Sequence, residues 1–411
     1  MPKAATRRPR VITLGPGSVT KFHSQMEFEM TFRDDQEARV SHHRMFTPLS
    51  GVKDGVRIMS PVCISRIATA TPPHDVHAAF IAYASSMMQD RRARSLLRLM
   101  DQRSGIEHRY SFIQAEGELA PNSLDGRDLF KTGNYPSTAK RMKCFETFAP
   151  SLMRCALDRL ALTPEERRSV RHVIVTCCTG LYAPGLDFAA IEHLRLDPGT
   201  ERTMIGFMGC YAAINGLKLA RHIVRSEPDA SVLMINLELC SLHLQETQDL
   251  EKVLSFLLFA DGCAASLIRL DDHGFALDSF RAVSIPDTRG LILWRIGDLG
   301  FDMVLSGRIP VELKKSMREH AKELDPDGNM DLWAVHPGGR TILDAVGEGL
   351  ELAPEKLAPS RSVLRRFGNM SSATVMFVLH DMMREAEPGQ RGCAMSFGPG
   401  LTAETMNFHV V

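Results

Sequence analysis

From about Val56 to the C-terminus, strand-like and helix-like segments alternate, and they do so twice in the same order. Alternation of this kind restricts the chain to an α/β fold, in which helices cover the faces of a largely apolar sheet. In the first pass RIMSPVCISRIATATPP begins as a strand and stops at a Pro-Pro breaker, and helical stretches follow over about 76–102 and 137–160. RHVIVTCCTG then reads as a buried strand entering a glycine turn, with LDFAAIEHLRL as the helix behind it. TMIGF leads into a helix headed by Cys210, and SVLMINLEL, DLEKVLSFLLFA and GCAASLIRL continue as strand, helix and strand. The second pass is shorter. LWAVHPGG is a strand and turn, RTILDAVGEGLEL a helix, and FGNMSSATVMFVLHDMMREA a helix entered from a glycine turn. GCAMSFGPGL and ETMNFHVV close it as two strands across a Gly-Pro-Gly turn. Two passes, each ending in a pair of strands, imply an internal duplication. The expected division is an N-terminal extension over 1–56, a first half over 57–285 and a second over 286–411.

Charge and cysteine usage narrow the partners. Lys plus Arg equal Asp plus Glu at 49 each, so no global field attracts nucleic acid or an anionic membrane, and small molecules or copies of the chain are expected instead. The nine cysteines are odd in number, form no CxxC pair and sit mostly in apolar runs, which points to reduced thiols in a cytoplasmic protein. Apolar stretches such as VLSFLLFA fall far short of the ~20 residues that span a bilayer. At the N-terminus Lys3, Arg7, Arg8 and Arg10 stand without an acid, but VITL is too short for a signal-peptide core, so this segment reads as a solvated tail.

Three residues carry candidate chemistry. A thiol at a helix start faces unpaired backbone N–H groups and the positive end of the helix dipole, both of which favour its ionisation. Cys210 in GFMGCYAAINGLKLA is such a thiol, behind a turn made of Gly206 and Gly209; a small buried residue where strand meets helix is the alternative. His336 ends a strand and precedes Pro337, Gly338 and Gly339, which allows its ring to face a ligand held by the loop backbone, or merely to cap the next helix. Asn369 follows Gly368 at the mouth of an apolar helix, where the ordinary role of asparagine is an N-cap.

Together the three resemble the Cys-His-Asn constellation of thiolase-fold condensing enzymes. Within that superfamily HPGGRTILD, GNMSSATV and SFGPGL are close to the HPG, GNMSS and GFGPG signatures of the type III polyketide synthases, the chalcone and stilbene synthase family. ATATPP, SGIEHRY and FADGCAA match the family in order, and the resemblance covers about residues 57–411. The His-Gln-Ala-Asn word of initiating ketoacyl synthases is absent, as is the acidic partner that hydroxymethylglutaryl synthases place near the cysteine.

The resemblance implies a duplicated, five-layered αβαβα thiolase-like fold and an acyltransferase needing no cofactor, which condenses an acyl-CoA starter iteratively with malonyl-CoA and closes the chain to an alkylpyrone, a resorcinol or a phloroglucinol-type product. Cys210 would carry the growing chain, and His336 and Asn369 would stabilise the enolate formed when malonyl-CoA loses carbon dioxide; an imidazolium at His336 would favour the thiolate. Phe259 matches the gatekeeper phenylalanine. Met303 stands where the family has a second gate phenylalanine, with Phe301 two residues earlier on the same strand. Cys178, Thr179 and His243 match cavity-lining positions, Gly338 and Gly339 flank the pantetheine path, and Arg103, with Arg98 nearby, falls where coenzyme phosphates are contacted. CSLH, 240–243, has no second pair at zinc-like spacing, so no metal is expected. Ala183 aligns with a position that reaches the partner subunit, which implies a homodimer. A single condensation of the ketoacyl synthase III type and a non-catalytic acyl-CoA-binding protein are the alternatives; binding alone requires none of the three residues.

Overall fold

Strands apolar on both faces must be covered on both, and this requirement builds the molecule. Ser231–Leu239 is buried at every residue and Asp261–Leu270 at its first eight. The computed structural model describes residues 60–115, 123–125 and 129–411, so the expected extension over 1–56 lies outside the described residues. Nine strands form one sheet in the order Leu332–Val335, Arg391–Gly398, Thr402–Val410, Phe275–Ser284, Val62–Ala70, Asp261–Leu270, Ser231–Leu239, Val170–Cys177 and Glu201–Gly206. The join between Val62–Ala70 and Phe275–Ser284 rests on two residue pairs, Cys63 with Ala276 and Ile64 with Phe275, so the sheet is two half-sheets meeting at a seam.

Strand directions repeat across that seam. Val170–Cys177 runs parallel to Ser231–Leu239, which is antiparallel to Asp261–Leu270, itself antiparallel to Val62–Ala70. Leu332–Val335, Arg391–Gly398, Thr402–Val410 and Phe275–Ser284 follow the same sequence of directions. Between the half-sheets lie the helices Ala212–Ser226 and Thr374–Met383. Ile214 and Leu217 of one and Val375 and Val378 of the other share a core with Met234 and Ala264 from the first half-sheet and Ala394 and Met406 from the second. Thr138–Leu160 covers the outer face of the first half through Phe145, Met153 and Leu157. Ile309–Leu324 and Arg340–Gly349 cover the second, packing Leu313, Met317 and Leu343 with Trp333 and Met395. The layers are αβαβα, the thiolase-like arrangement expected.

Several elements differ from the sequence pattern. The helix expected over about 76–102 is two, His77–Met87 and Arg91–Ser104, because Asp90 accepts hydrogen bonds from the Arg92 and Ala93 amides and caps a new start. Both central helices are entered through a single 3₁₀ turn, Gly209–Tyr211 and Ser371–Ala373, so Cys210 sits just ahead of the α-helix rather than on its first turn. A hairpin of Ile292–Gly297 and Gly300–Leu305 stands apart from the main sheet. Among the described residues no helix is long and apolar enough to cross a membrane.

Candidate active site

Chain geometry around Cys210 depends on one glycine and one unexpected residue. Phe207 has φ 56° and Gly209 φ 74°, both left-handed. A Cβ on Gly209 would lie 2.3 Å from the Pro399 ring, so the Gly-Pro-Gly turn of the second half presses directly on the cysteine turn. Gly206, expected to share this role, has ordinary space, its nearest contact being 3.7 Å away. The second left-handed residue of the turn is therefore Phe207, whose ring packs 5.4 Å from that of Phe301. The Gly209 N–H donates to Cys178 Sγ at 3.0 Å, which ties the turn to the neighbouring strand end.

His336 follows the strand Leu332–Val335 and is held by its backbone, its N–H donating to the Met395 carbonyl at 2.8 Å and its own carbonyl accepting from the Gly338 N–H at 2.9 Å. The ring is buried, and among the described residues neither nitrogen has a hydrogen-bond partner. It does not cap the helix Arg340–Gly349, whose start has no side-chain cap. A buried polar group left without a partner costs about 1–3 kcal/mol and marks a place where a reacting atom fits.

Asn369 is not the N-cap expected, since Met370 and Ala373 hold the N-cap places of the 3₁₀ turn and of the helix Thr374–Met383, but its side chain is tied to the backbone that leads into them. Oδ1 accepts from the Ser371 N–H at 2.8 Å and from the Thr374 hydroxyl at 3.4 Å, while Nδ2 donates to the Gly338 carbonyl at 3.4 Å, beside His336. These bonds fix the amide so that its N–H₂ end is the one presented. The preceding Gly368 has φ 69°, and a Cβ there would come within 2.8 Å of Arg109 Cγ.

All three residues line one cavity of about 810 Å³, together with Phe259, Met303, Cys178, Thr179, Gly338, Gly339 and Arg103. Asn369 donates its backbone N–H to the Leu258 carbonyl at 2.8 Å and accepts from the Ala260 N–H at 2.9 Å through its backbone carbonyl, so the residues on both sides of Phe259 are tied to the Asn369 backbone. The buried Arg109 adds a donor to the Phe259 carbonyl at 3.1 Å. Met303 lies directly across the hairpin from Trp294, which also lines the cavity and donates Nε1–H to the Cys178 carbonyl at 2.8 Å. Exposed lining residues Met100, Arg103 and Arg340 mark the opening. Arg98 is exposed and does not line the cavity, and Ala183 is exposed away from it.

His243 does not face the cavity. Its Nε2–H donates to the Thr179 carbonyl at 2.7 Å and its Nδ1 accepts from the Phe301 N–H at 3.0 Å, with the Phe301 ring stacked on it at 4.1 Å. Both nitrogens being committed to backbone, the residue supports the wall from behind; Phe301 likewise is buried in this stack rather than in the gate.

One residue not anticipated is Glu238. Its Oε2 accepts from the Cys178 N–H at 2.9 Å and the Thr179 hydroxyl at 2.8 Å, and its Oε1 accepts from the Ser372 hydroxyl at 2.6 Å. A single carboxylate thereby joins the cavity strand of the first half to the helix start of the second. The signal was a lone acid in an apolar strand, two residues from Asn236 and two from Cys240 on the same face; Cys240 lines the cavity too.

Electrostatics set the resting protonation. Burial, with a smaller effect from the Glu238 charge, pushes the Cys210 thiol up to about 12, while hydrogen bonds involving Ser371 and Asn369 pull it down. Burial alone pushes His336 down to about 3. Each shift opposes the isolated charged form, so the imidazolium expected at His336 is not favoured by its surroundings until a proton arrives from a group beside it. Burial also raises Glu238 to about 7 against the hydrogen bonds it accepts.

Known proteins resemble this chain along most of its length. The family model "Chalcone and stilbene synthases, N-terminal domain" matches residues 58–272, and "Chalcone and stilbene synthases, C-terminal domain" matches 277–411. The α-pyrone synthesis polyketide synthase-like protein Pks18 of Mycobacterium tuberculosis is 31% identical over 367 residues, covering 85% of this chain and 91% of that protein. The crystal structure of PKS-I from the brown alga Ectocarpus siliculosus superposes with a TM-score of 0.78 at 28% identity, covering 87% of this chain and all of that one. The 1,3,6,8-tetrahydroxynaphthalene synthase of Streptomyces coelicolor A3(2), a bacterial type III polyketide synthase, gives 0.73 at 28% identity over 85% of this chain and 99% of that one.

Proposed function

The chain belongs to the chalcone and stilbene synthase family and is a type III polyketide synthase, and from that premise we propose that it extends an acyl-CoA starter with malonyl-CoA on Cys210 and releases an α-pyrone. The observation that carries the reading is His336, a buried ring with two unpaired nitrogens in the cavity that Cys210 and Asn369 also line. A neutral imidazole so placed can take the thiol proton as Sγ attacks the starter thioester, and coenzyme A leaves as thiol. With the next substrate bound, a ring N–H and the Asn369 Nδ2 donate to the thioester oxygen of malonyl-CoA. Carbon dioxide departs, negative charge collects on that oxygen, and the enolate carbon attacks the acyl-cysteine, lengthening the chain by two carbons. Decarboxylation supplies the carbanion, so no strong base is needed.

Leu254, Leu257, Leu258, Ile292 and Leu305 in the wall support a linear acyl starter, and Arg103 and Arg340 at the opening support coenzyme phosphates. Lactonisation is favoured by the relative named for α-pyrone synthesis. The purified protein, given malonyl-CoA and a panel of short, long and aromatic acyl-CoAs, should yield pyrones by mass spectrometry, with the starter found on the Cys210 peptide during turnover. No extended product from any starter, or an acyl adduct only on other cysteines, would sink this reading. The nine free thiols support a reducing, cytoplasmic setting.

A homodimer is part of the proposal. Glu201–Gly206 ends the sheet with one side unpaired, and Leu181, Phe188, Met204 and Met208 are exposed on or near it, beside Ala183. Light scattering should give twice the chain mass, and Met204→Asp should shift it to the monomer. A wild-type monomer, or an unaffected dimer in the variant, would place the interface elsewhere or remove it.

A further inference from the structure

Helix Arg91–Ser104 carries its charges against its own dipole. The first turn of a helix favours acids and disfavours cations, yet this one has no acid there and begins Arg91, Arg92, Ala93, Arg94. The nearest carboxylate, Asp90, is committed to the Arg92 and Ala93 amides. Arg98 and Arg103 follow, and all five arginines are exposed. None of the five makes an ion pair among the described residues. The helix dipole favours Arg103 alone, in the last turn, and of the five only Arg103 reaches the cavity.

The same helix buries Leu97 alone and exposes Leu96 (41%), Leu99 (40%) and Met100 (43%), which the i, i+3, i+4 spacing sets on one flank. Met100 lines the cavity opening, and across it the exposed Val311 adjoins Pro310, which also lines it. Cations and apolar side chains therefore frame the entrance to an apolar cavity.

We propose that this helix seats the cavity opening on the surface of an anionic lipid bilayer. Leu96, Leu99 and Met100 enter the headgroup boundary, and Arg91, Arg92, Arg94 and Arg98 contact lipid phosphates from beside them, their stems lying along the apolar layer, while Arg103 stays with the coenzyme. An acidic protein would answer the arginines but would leave three large apolar side chains beside the opening without a role. The balanced totals of 49 cations and 49 anions conceal this cluster because the asymmetry is confined to one helix. Poorly soluble starters and products would then pass between bilayer and cavity without crossing water. The inference goes beyond the condensation reaction, and its test does not depend on it.

The full chain should co-sediment with vesicles of phosphatidylglycerol and phosphatidylcholine, not with phosphatidylcholine alone, and high salt should release it. Leu96→Ser/Leu99→Ser should weaken partitioning on the order of tenfold, and Arg91→Gln/Arg92→Gln by roughly fivefold per charge removed. Both pairs are exposed, circular dichroism checks their fold, and the leucine pair alone is decisive should the arginine pair misfold. No co-sedimentation overturns the proposal. So does binding unchanged in both variants, which would assign lipid affinity to another segment such as Lys3–Arg10. Loss of polyanion binding in the arginine variant with vesicle binding intact in the leucine variant would assign the helix to an acidic protein and overturn it equally.

Discussion

His336→Ala should stop product formation, with a loss on the order of 10⁴-fold, because it removes both the acceptor of the Cys210 proton and a donor to the enolate oxygen. The pH dependence of cysteine labelling separates the two roles. With His336 neutral the Cys210 thiol lies up at about 12, and with Cys210 neutral the His336 ring lies down at about 3. Between those limits the pair holds one exchangeable proton in total, so the thiolate–imidazolium form arises by internal transfer, and its population does not change with pH. Free thiolate, by contrast, gains tenfold per pH unit below the thiol pKa, so iodoacetamide labelling of Cys210 that is flat through neutrality identifies the ion pair as the reacting species and a tenfold slope identifies the free thiolate. In His336→Ala only the free thiolate remains, and labelling should follow the tenfold slope. His336→Gln keeps an N–H but no base, and should lose acyl loading more than decarboxylation. His336→Ala forming product within tenfold of wild type would overturn this assignment.

The residues needed for that pair were legible in the sequence, but their supports were not. Cys210, His336 and Asn369 each stand at a junction of strand or helix with a glycine turn, and such junctions are visible as local words. What locks them is non-local. Gly209 is required because Pro399, 190 positions later, occupies the space of its Cβ, whereas Gly206, equally prominent in the sequence, meets nothing comparable. His243 carries the polarity of a cavity residue, yet Thr179 and Phe301 use both its nitrogens. Glu238 is bonded to the 178–179 loop and to Ser372, partners separated by nearly two hundred residues that no local period could pair with it.

The fold was legible to the same depth. Ser231–Leu239 is legible to its ends because its apolar run, broken only at Asn236 and Glu238, has the length of a strand and not of a helix. Ile309–Leu324 is not, since its apolar positions cover a single face and its sequence opens on Ile-Pro directly after a hairpin. The seam joining the half-sheets is two residue pairs wide and leaves no mark in either strand. Duplication was nevertheless recoverable, because it is written in the order of elements rather than in any pairing.

Asn369→Asp should lower malonyl-CoA decarboxylation by ~10²–10³, the usual consequence of losing one oxyanion donor, while acyl transfer to Cys210 persists. The aspartate is the informative change because the side chain has two functions at opposite ends. Oδ1 accepts from the Ser371 N–H at 2.8 Å, a bond that aspartate retains and that suits a helix start. Only the Nδ2 donor disappears, replaced by an oxygen that repels the developing charge. Asn369→Ala removes both ends and should add a stability loss of ~1 kcal/mol from the lost hydrogen bond to the Ser371 N–H, so a deficit shared by the two variants belongs to the donor and not to the fold. Release of labelled carbon dioxide measures the first step, and the mass of the trapped acyl-enzyme measures loading. If Asn369→Asp decarboxylates within tenfold of wild type, the amide serves only to hold the Ser371 backbone. If it loses loading as well, Asn369 acts through Cys210, whose thiol is held in part by the same amide and by Ser371 at 3.7 Å.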